Sequence, residues 1–362
     1  MDNRQKRFIW LDCDPGHDDA TAIMLALHCP NITLLGISTT HGNTDSQSTA
    51  INAARCLYAF GAPSGLRVYP GASKPLLLPP RYDAEIHGED GLGGVEGLPD
   101  ASDPALRNWF VDDDNGKPTR ALEGMVHHIK ATWQGGAGHK VCMISSGPMT
   151  NVALFVSIYP DLVDAIEEFV FMGGGVGMGN RSPVAEWNIL CDPHAAQIVL
   201  NTLVKKTMIP LNVTHTAIVT KTIRASLLDP SYNGNPDNPP EAVSNLRHTL
   251  STLLTFFADA YKSTFGFNDG PPLHDAVTIL YISQPELFNC TRFRVDVELI
   301  GEHTVGETVV DIWHYKPCDL TWGPKGRNCL VAQSVNVNGL FKLLLECVAK
   351  CDLCSPLNTL KT

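Results

Sequence analysis

No run of basic residues occurs in this sequence, and acidic side chains outnumber basic ones 38 to 27, for a formal net charge of −11. That excludes the electrostatic footprint expected of a protein whose main partner is nucleic acid, while leaving neutral small molecules open. No hydrophobic stretch approaches the roughly 20 residues of a transmembrane helix, so no membrane partner is expected. Residues 1–7 are polar and the apolar run at 8–11 is too short for the core of a signal peptide. No internal repeat and no low-complexity tract is visible. No second cysteine pair stands at zinc-finger spacing from Cys351 and Cys354, so this C-x-x-C reads as two ordinary thiols. The 11 cysteines are scattered among core-like neighbours, as in Val141-Cys142-Met143-Ile144. That usage favours a reducing compartment, and a cytoplasmic location is expected.

The 362 residues are 44% hydrophobic and 18% charged, enough for one large buried core. Short apolar runs at 8–11, 32–39, 140–145, 168–172 and 207–211 read as strands. Helical spacing of apolar residues appears at 18–28, 46–60, 125–133, 151–158, 194–203, 246–261 and 340–349. Residues 292–300 and 308–312 read as a late strand pair. Strands alternating with helices predict an α/β fold, an open, mostly parallel central sheet covered by helices. A single domain is expected over 7–350, with 351–362 as a C-terminal tail. Segments 100–118, with Asp112-Asp113-Asp114, and 229–240 read as solvated surface insertions.

Asp12-Cys13-Asp14-Pro15-Gly16-His17-Asp18-Asp19 places four carboxylates in eight residues, where the first strand ends and the first helix begins. Ligands of open α/β sheets bind at such strand ends. Pro15 and Gly16 mark a tight turn that lets the carboxylates converge. Helix capping accounts for one of Asp18 and Asp19, but not for Asp12 and Asp14. Converging acids repel, and a hard cation with oxygen ligands relieves the repulsion. The absence of a Cys/His-rich set favours Ca²⁺ or Mg²⁺ over zinc.

This octet resembles the signature of the inosine-uridine-preferring nucleoside hydrolases. Further pieces follow in that family's order: His41-Gly42-Asn43, Ile86-His87-Gly88, Gly147-Pro148-Met149-Thr150-Asn151 and Phe171-Met172-Gly173-Gly174-Gly175. Pro183-Val184-Ala185-Glu186-Trp187-Asn188 and Leu273-His274-Asp275-Ala276 complete the set. The stretch Gly91-Leu92-Gly93-Gly94-Val95-Glu96 looks most like plant and fungal members, where uridine is often a substrate. The resemblance implies a Rossmann-like core and hydrolysis of the N-glycosidic bond of ribonucleosides, uridine or inosine favoured. It also implies a homodimer or homotetramer.

It further implies one Ca²⁺ held by Asp14, Asp19, the main-chain carbonyl of Ser146, and Asp275, with Asp14 as general base on the attacking water. Asp18 and Asn43 would bind the 2′- and 3′-hydroxyl side of the ribose. Asn180, Glu186 and Asn188 would bind its edge and 5′-hydroxyl; Glu186 and Asn188, two apart, would share a face of an extended segment. Met172 would pack under the sugar, and Trp187 would line the pocket. His274 would assist departure of the base, a role that suits an imidazole near neutral pH, with His87 a second candidate there. His17 receives no role. Residues 261–272 would form a flap over the base, with Tyr261, Phe265 or Phe267 stacking on it.

Two other classes stay open. An Asp-x-Asp phosphohydrolase would use Asp12 as nucleophile and Asp14 as acid, but no phosphate-binding lysine or second acidic pair can be placed for it. A nucleoside-binding protein without turnover would keep the pocket and release no sugar.

Overall fold

The computed structural model describes residues 5–359. Strand β1 (Arg7–Cys13) is buried from Ile9 to its end. It lies between β2 (Ile32–Thr39) and β4 (Val141–Ser145), parallel to both. β3 (Val68–Pro70), β5 (Ile166–Met172), β6 (Lys205–Ile209), β7 (Phe288–Phe293) and β10 (Cys329–Val335) complete an eight-stranded sheet ordered β3-β2-β1-β4-β5-β6-β10-β7. Only the β10–β7 pair is antiparallel in that sheet, so the expected open, mostly parallel sheet is observed.

Successive β1 side chains feed opposite faces, as the period of two requires. Ile9 and Leu11 pack with the helices His17–His28, Ala276–Ser283 and Val337–Asp352. Trp10 packs with Tyr69, Met125 and Phe155 on the other face. With both faces covered, a parallel strand can be apolar at every position, which is why Phe8-Ile9-Trp10-Leu11 does not alternate.

Four expectations change. The strand placed at 292–300 is broken: Phe293 ends β7 in the main sheet, whereas β8 (Val295–Val297) pairs with β9 (Thr308–Val310) in a separate hairpin. β3 and β10 carry no distinctive pattern and were missed. The first part of the flap, 261–265, is helical, because the helix Asn245–Phe265 runs on until Gly266 takes a left-handed cap. The boundary at 350 falls inside the helix Val337–Asp352, and Cys351, Ser355 and Leu357 are buried beyond it. Residues 351–359 are thus part of the packed domain, while 360–362 of the expected tail lie outside the described residues.

Candidate active site

The acidic octet sits where β1 gives way to the helix His17–His28. Gly16 is the N-cap residue, and its N–H donates to Asp19 Oδ2 at 3.0 Å, so Asp19 closes the first turn on itself. Ser146, just beyond β4, donates its hydroxyl to Asp19 Oδ1 at 2.8 Å. Asn43 follows β2 and ties the turn together: its N–H donates to Asp14 Oδ2 at 2.8 Å, and its Nδ2 donates to the Asp14 carbonyl at 3.0 Å and Asp19 Oδ2 at 3.2 Å. Three adjacent strand ends therefore converge on one turn.

Asp18, Asp19 and Asp275 form one group, with a carboxylate oxygen of each within 4.8 Å of the others, all buried. Burial raises the pKa of each, and mutual repulsion raises Asp18 and Asp275 further. Asp14 is raised by burial and then by the charge of Asp19, and its Oδ1 is buried without a hydrogen-bond partner. Glycines flank that carboxylate: a Cβ at Gly42 or Gly147 would collide with it. Crowded acids and an orphaned carboxylate oxygen suit a hard, oxygen-seeking cation. Asp18, expected at the ribose, stands in this cluster with the expected ligands Asp19 and Asp275, and Asp14 lies outside that triad.

Above this floor opens a small cleft. Asp18, Asn43, Ser146, Met172 and Asp275 line its base, and Asn180, Glu186, Trp187 and Asn188 one wall. Asp14 and Asp19 do not line it; both are fully buried behind it. Glu186 and Asn188 do not share an extended segment. Glu186 caps the short helix Trp187–Cys191, accepting from the N–H groups of Asn188 and Ile189, and also from that of Gly174. Burial raises its pKa to about 7. Asn188 donates to the Ser146 carbonyl at 2.8 Å and the Met172 carbonyl at 3.2 Å, joining β4 to β5. Asn180 Oδ1 accepts from the Trp187 N–H at 2.9 Å.

The opposite wall is imidazole and aromatic. His274 is held at both nitrogens, Nε2 at 2.7 Å from the Tyr261 hydroxyl and Nδ1 at 2.8 Å from Thr214 Oγ1. Burial, then His215, keeps its pKa well below the usual range, so it is neutral at pH 7. His87 also lines the cleft, with its Nδ1 3.4 Å from His17 Nδ1. His17, given no role above, stacks on Phe256 and Phe257 behind His87.

Comparison with known proteins settles what this arrangement belongs to. The family model described as inosine-uridine preferring nucleoside hydrolase matches residues 9–342. The chain belongs to this family. A probable ribonucleoside hydrolase of Dictyostelium discoideum is 35% identical over 353 residues, covering 97% of each chain. The pyrimidine-specific ribonucleoside hydrolase RihA of Shewanella oneidensis is 36% identical over 94% of this chain and 96% of that protein. Among solved structures, a purine-preferring ribonucleoside hydrolase from Gardnerella vaginalis superposes with a TM-score of 0.78 at 26% identity, covering 96% of this chain and 99% of that one. This member of the family is therefore an enzyme, an N-glycosyl hydrolase of ribonucleosides. Among the described residues, no helix is long and apolar enough to cross a membrane.

Sequence reasoning missed Asp83, Ile86 and Arg181, which also line the cleft. Arg181 follows the expected Asn180, and Asp83 stands four residues before His87, but nothing in a spacing of 98 residues announces that the two pair. Of the flap aromatics, Tyr261 and Phe265 line the cleft; Phe267 instead packs against His215.

Proposed function

We propose that this hydrolase takes ribonucleosides into the cleft ribose-first, over a Ca²⁺ ion held by Asp14, Asp19, the Ser146 carbonyl and Asp275, and releases ribose and free base. The observation that carries this reading is the buried carboxylate cluster beneath a cleft with one amide- and carboxylate-rich wall and one aromatic wall. When bound, a divalent cation offsets the crowded negative charge and makes a coordinated water more acidic.

The chain's own groups divide the work. Cleavage builds positive charge on C1′ and O4′ of the ribose, and an acidic cleft suits that charge. Asp14 Oδ1, with no hydrogen-bond partner of its own, accepts the proton of the attacking water. Asp18 and Asn43 read the 2′- and 3′-hydroxyls. Glu186 is oriented by the three N–H groups it accepts and reads the 5′ edge together with Asn180 and Asn188. Met172 packs under the sugar beside Trp187.

At the base end, Tyr261 and His274 both line the cleft, and the Tyr261 hydroxyl lies 2.7 Å from His274 Nε2. Because both His274 nitrogens are engaged, His274 acts on the leaving base through the Tyr261 hydroxyl, with His87 alongside. The proposed substrates are uridine and inosine; the pyrimidine specificity named for the relative at 36% identity supports uridine. Homodimeric or homotetrameric assembly belongs to the same reading, supported by the exposed apolar side chains Ile300, Trp313, Tyr315 and Leu320. A cytoplasmic setting is supported by the absence of disulfides among the described residues.

Release of reducing sugar from uridine, inosine, adenosine and cytidine, with and without chelator, tests the reading. Release from uridine or inosine that chelator stops and Ca²⁺ restores is expected. Release untouched by chelator refutes the metal assignment, and nucleoside binding with no release refutes the catalytic one.

A further inference from the structure

Three chain segments far apart in sequence build the cleft walls, and one side chain touches all of them. Arg181 follows Asn180 in the loop that carries the ribose-facing wall. Its guanidinium grips Asp83 with two N–H groups, Nε to Oδ2 at 2.9 Å and Nη2 to Oδ1. Its Nη1 reaches Glu85 Oε2 at 3.2 Å. The same guanidinium lies 5.5 Å from the ring centre of Phe265, near the end of the helix Asn245–Phe265. Thr264 of that helix donates to the other oxygen of Glu85 at 3.3 Å.

The Asp83 grip matters because of what Asp83 carries. Its carbonyl accepts the N–H groups of Ile86 and His87, and its own N–H donates to the carbonyl of Asn43. Asp83 thus starts the single turn Ala84–His87 that points Ile86 and His87 at the cleft. An isolated turn of four residues has no stability of its own and depends on tertiary anchors. The Arg181 and Asp83 side chains are only 17% and 10% exposed, so the pair is sheltered from the screening that weakens surface ion pairs. A two-point guanidinium–carboxylate contact also fixes orientation, which a lysine cannot do.

We propose that Arg181 is a positioning residue for nucleoside binding: a clasp that joins the ribose-reading loop to the His87 turn and the Tyr261 helix, so that ordering one wall orders the others. This rests on the cleft being the active site. Arg181→Gln should raise KM for uridine and inosine about tenfold, the worth of one charge-assisted hydrogen bond, while kcat falls less. Asp83→Asn should do the same, Arg181→Lys should restore part of the loss, and the double variant Arg181→Gln/Asp83→Asn should be no worse than the poorer single one.

Steady-state ribose release with Ca²⁺-replete enzyme measures all four variants, with melting curves to confirm folding and Asp275→Asn as the control for the site. Asp275→Asn inactive with KM unchanged in Arg181→Gln overturns the clasp alone, as do additive losses in the double variant. Asp275→Asn fully active overturns the site and the clasp with it. Should Arg181→Gln fail to fold, Asp83→Asn decides the matter by whether its KM rises or stays.

Discussion

Tyr261→Phe separates departure of the base from every other step of the reaction. The substitution removes one hydroxyl and leaves the ring, whose packing against Phe257 at 4.6 Å and Phe265 at 5.1 Å between ring centres survives. What is lost is the hydrogen bond to His274 Nε2 at 2.7 Å, between residues 5% and 3% exposed. A buried neutral hydrogen bond of this kind contributes about 1 kcal/mol, and leaving the imidazole nitrogen unsatisfied costs about 1–3 kcal/mol. The protein should remain folded with a modest drop in melting temperature. The effect on catalysis is larger and selective. Proton donation to a leaving group is worth roughly 10²–10⁴-fold, so kcat for uridine and inosine should fall by about that factor. A nitrophenyl riboside, whose leaving group departs as a stable anion, needs no proton and should be cleaved at nearly the wild-type rate. Both substrates share the carboxylate floor and the ribose contacts, so the ratio of their losses reports only on the base end. Equal losses on the two would refute a leaving-group role for the Tyr261–His274 pair and make it a structural contact.

Chelation should lower the melting temperature as well as abolish activity, because Asp14, Asp18, Asp19 and Asp275 then repel without a counter-charge; calorimetry with and without Ca²⁺ reads this, and an unchanged melting temperature counts against the metal. Gly42→Ala should be nearly inactive in a ribose-release assay yet folded by circular dichroism, since Gly42 has φ +152° and its Cβ would displace Asp14; a fully active variant would show that the Asp14 position is not critical. His41 is fully buried, and burial lowers its pKa from 6.5 to about 4. The unfolded state therefore binds more protons between those values, and stability is lost as pH falls from about 6.5 towards 4. At pH 5 the penalty is about 2 kcal/mol relative to neutral pH, so urea titrations at pH 7 and pH 5 should show His41→Asn losing less stability on acidification than wild type, and an equal loss would place the titration elsewhere.

Much of this was legible because the signals are local. The run Phe8-Ile9-Trp10-Leu11 followed by clustered acids marks a buried strand delivering carboxylates to a helix start, and the turn at Pro15-Gly16 makes them converge. Asp18, Asn43, Met172, Glu186, Trp187 and Asn188, all expected at the ribose, sit in short motifs, and all line one cleft. What escaped has no local signal. β3 is three residues long, and β10 earns its place only by pairing with β6 and β7. Trp187 and Asn188 proved helical because Glu186, a residue with other uses, caps them.

The sequence by itself therefore determined the fold class, the strand ends that hold the acids, and most of the side chains on the cleft floor, since hydrophobic periodicity and turn chemistry act over a few residues. Only the tertiary structure decided which carboxylates form one group, that His274 is bonded to Tyr261, and that Arg181 grips Asp83. Those depend on distances between residues up to 257 positions apart, such as Asp18 and Asp275, and contacts of that range are set by how the sheet and its helices pack, which no local pattern encodes.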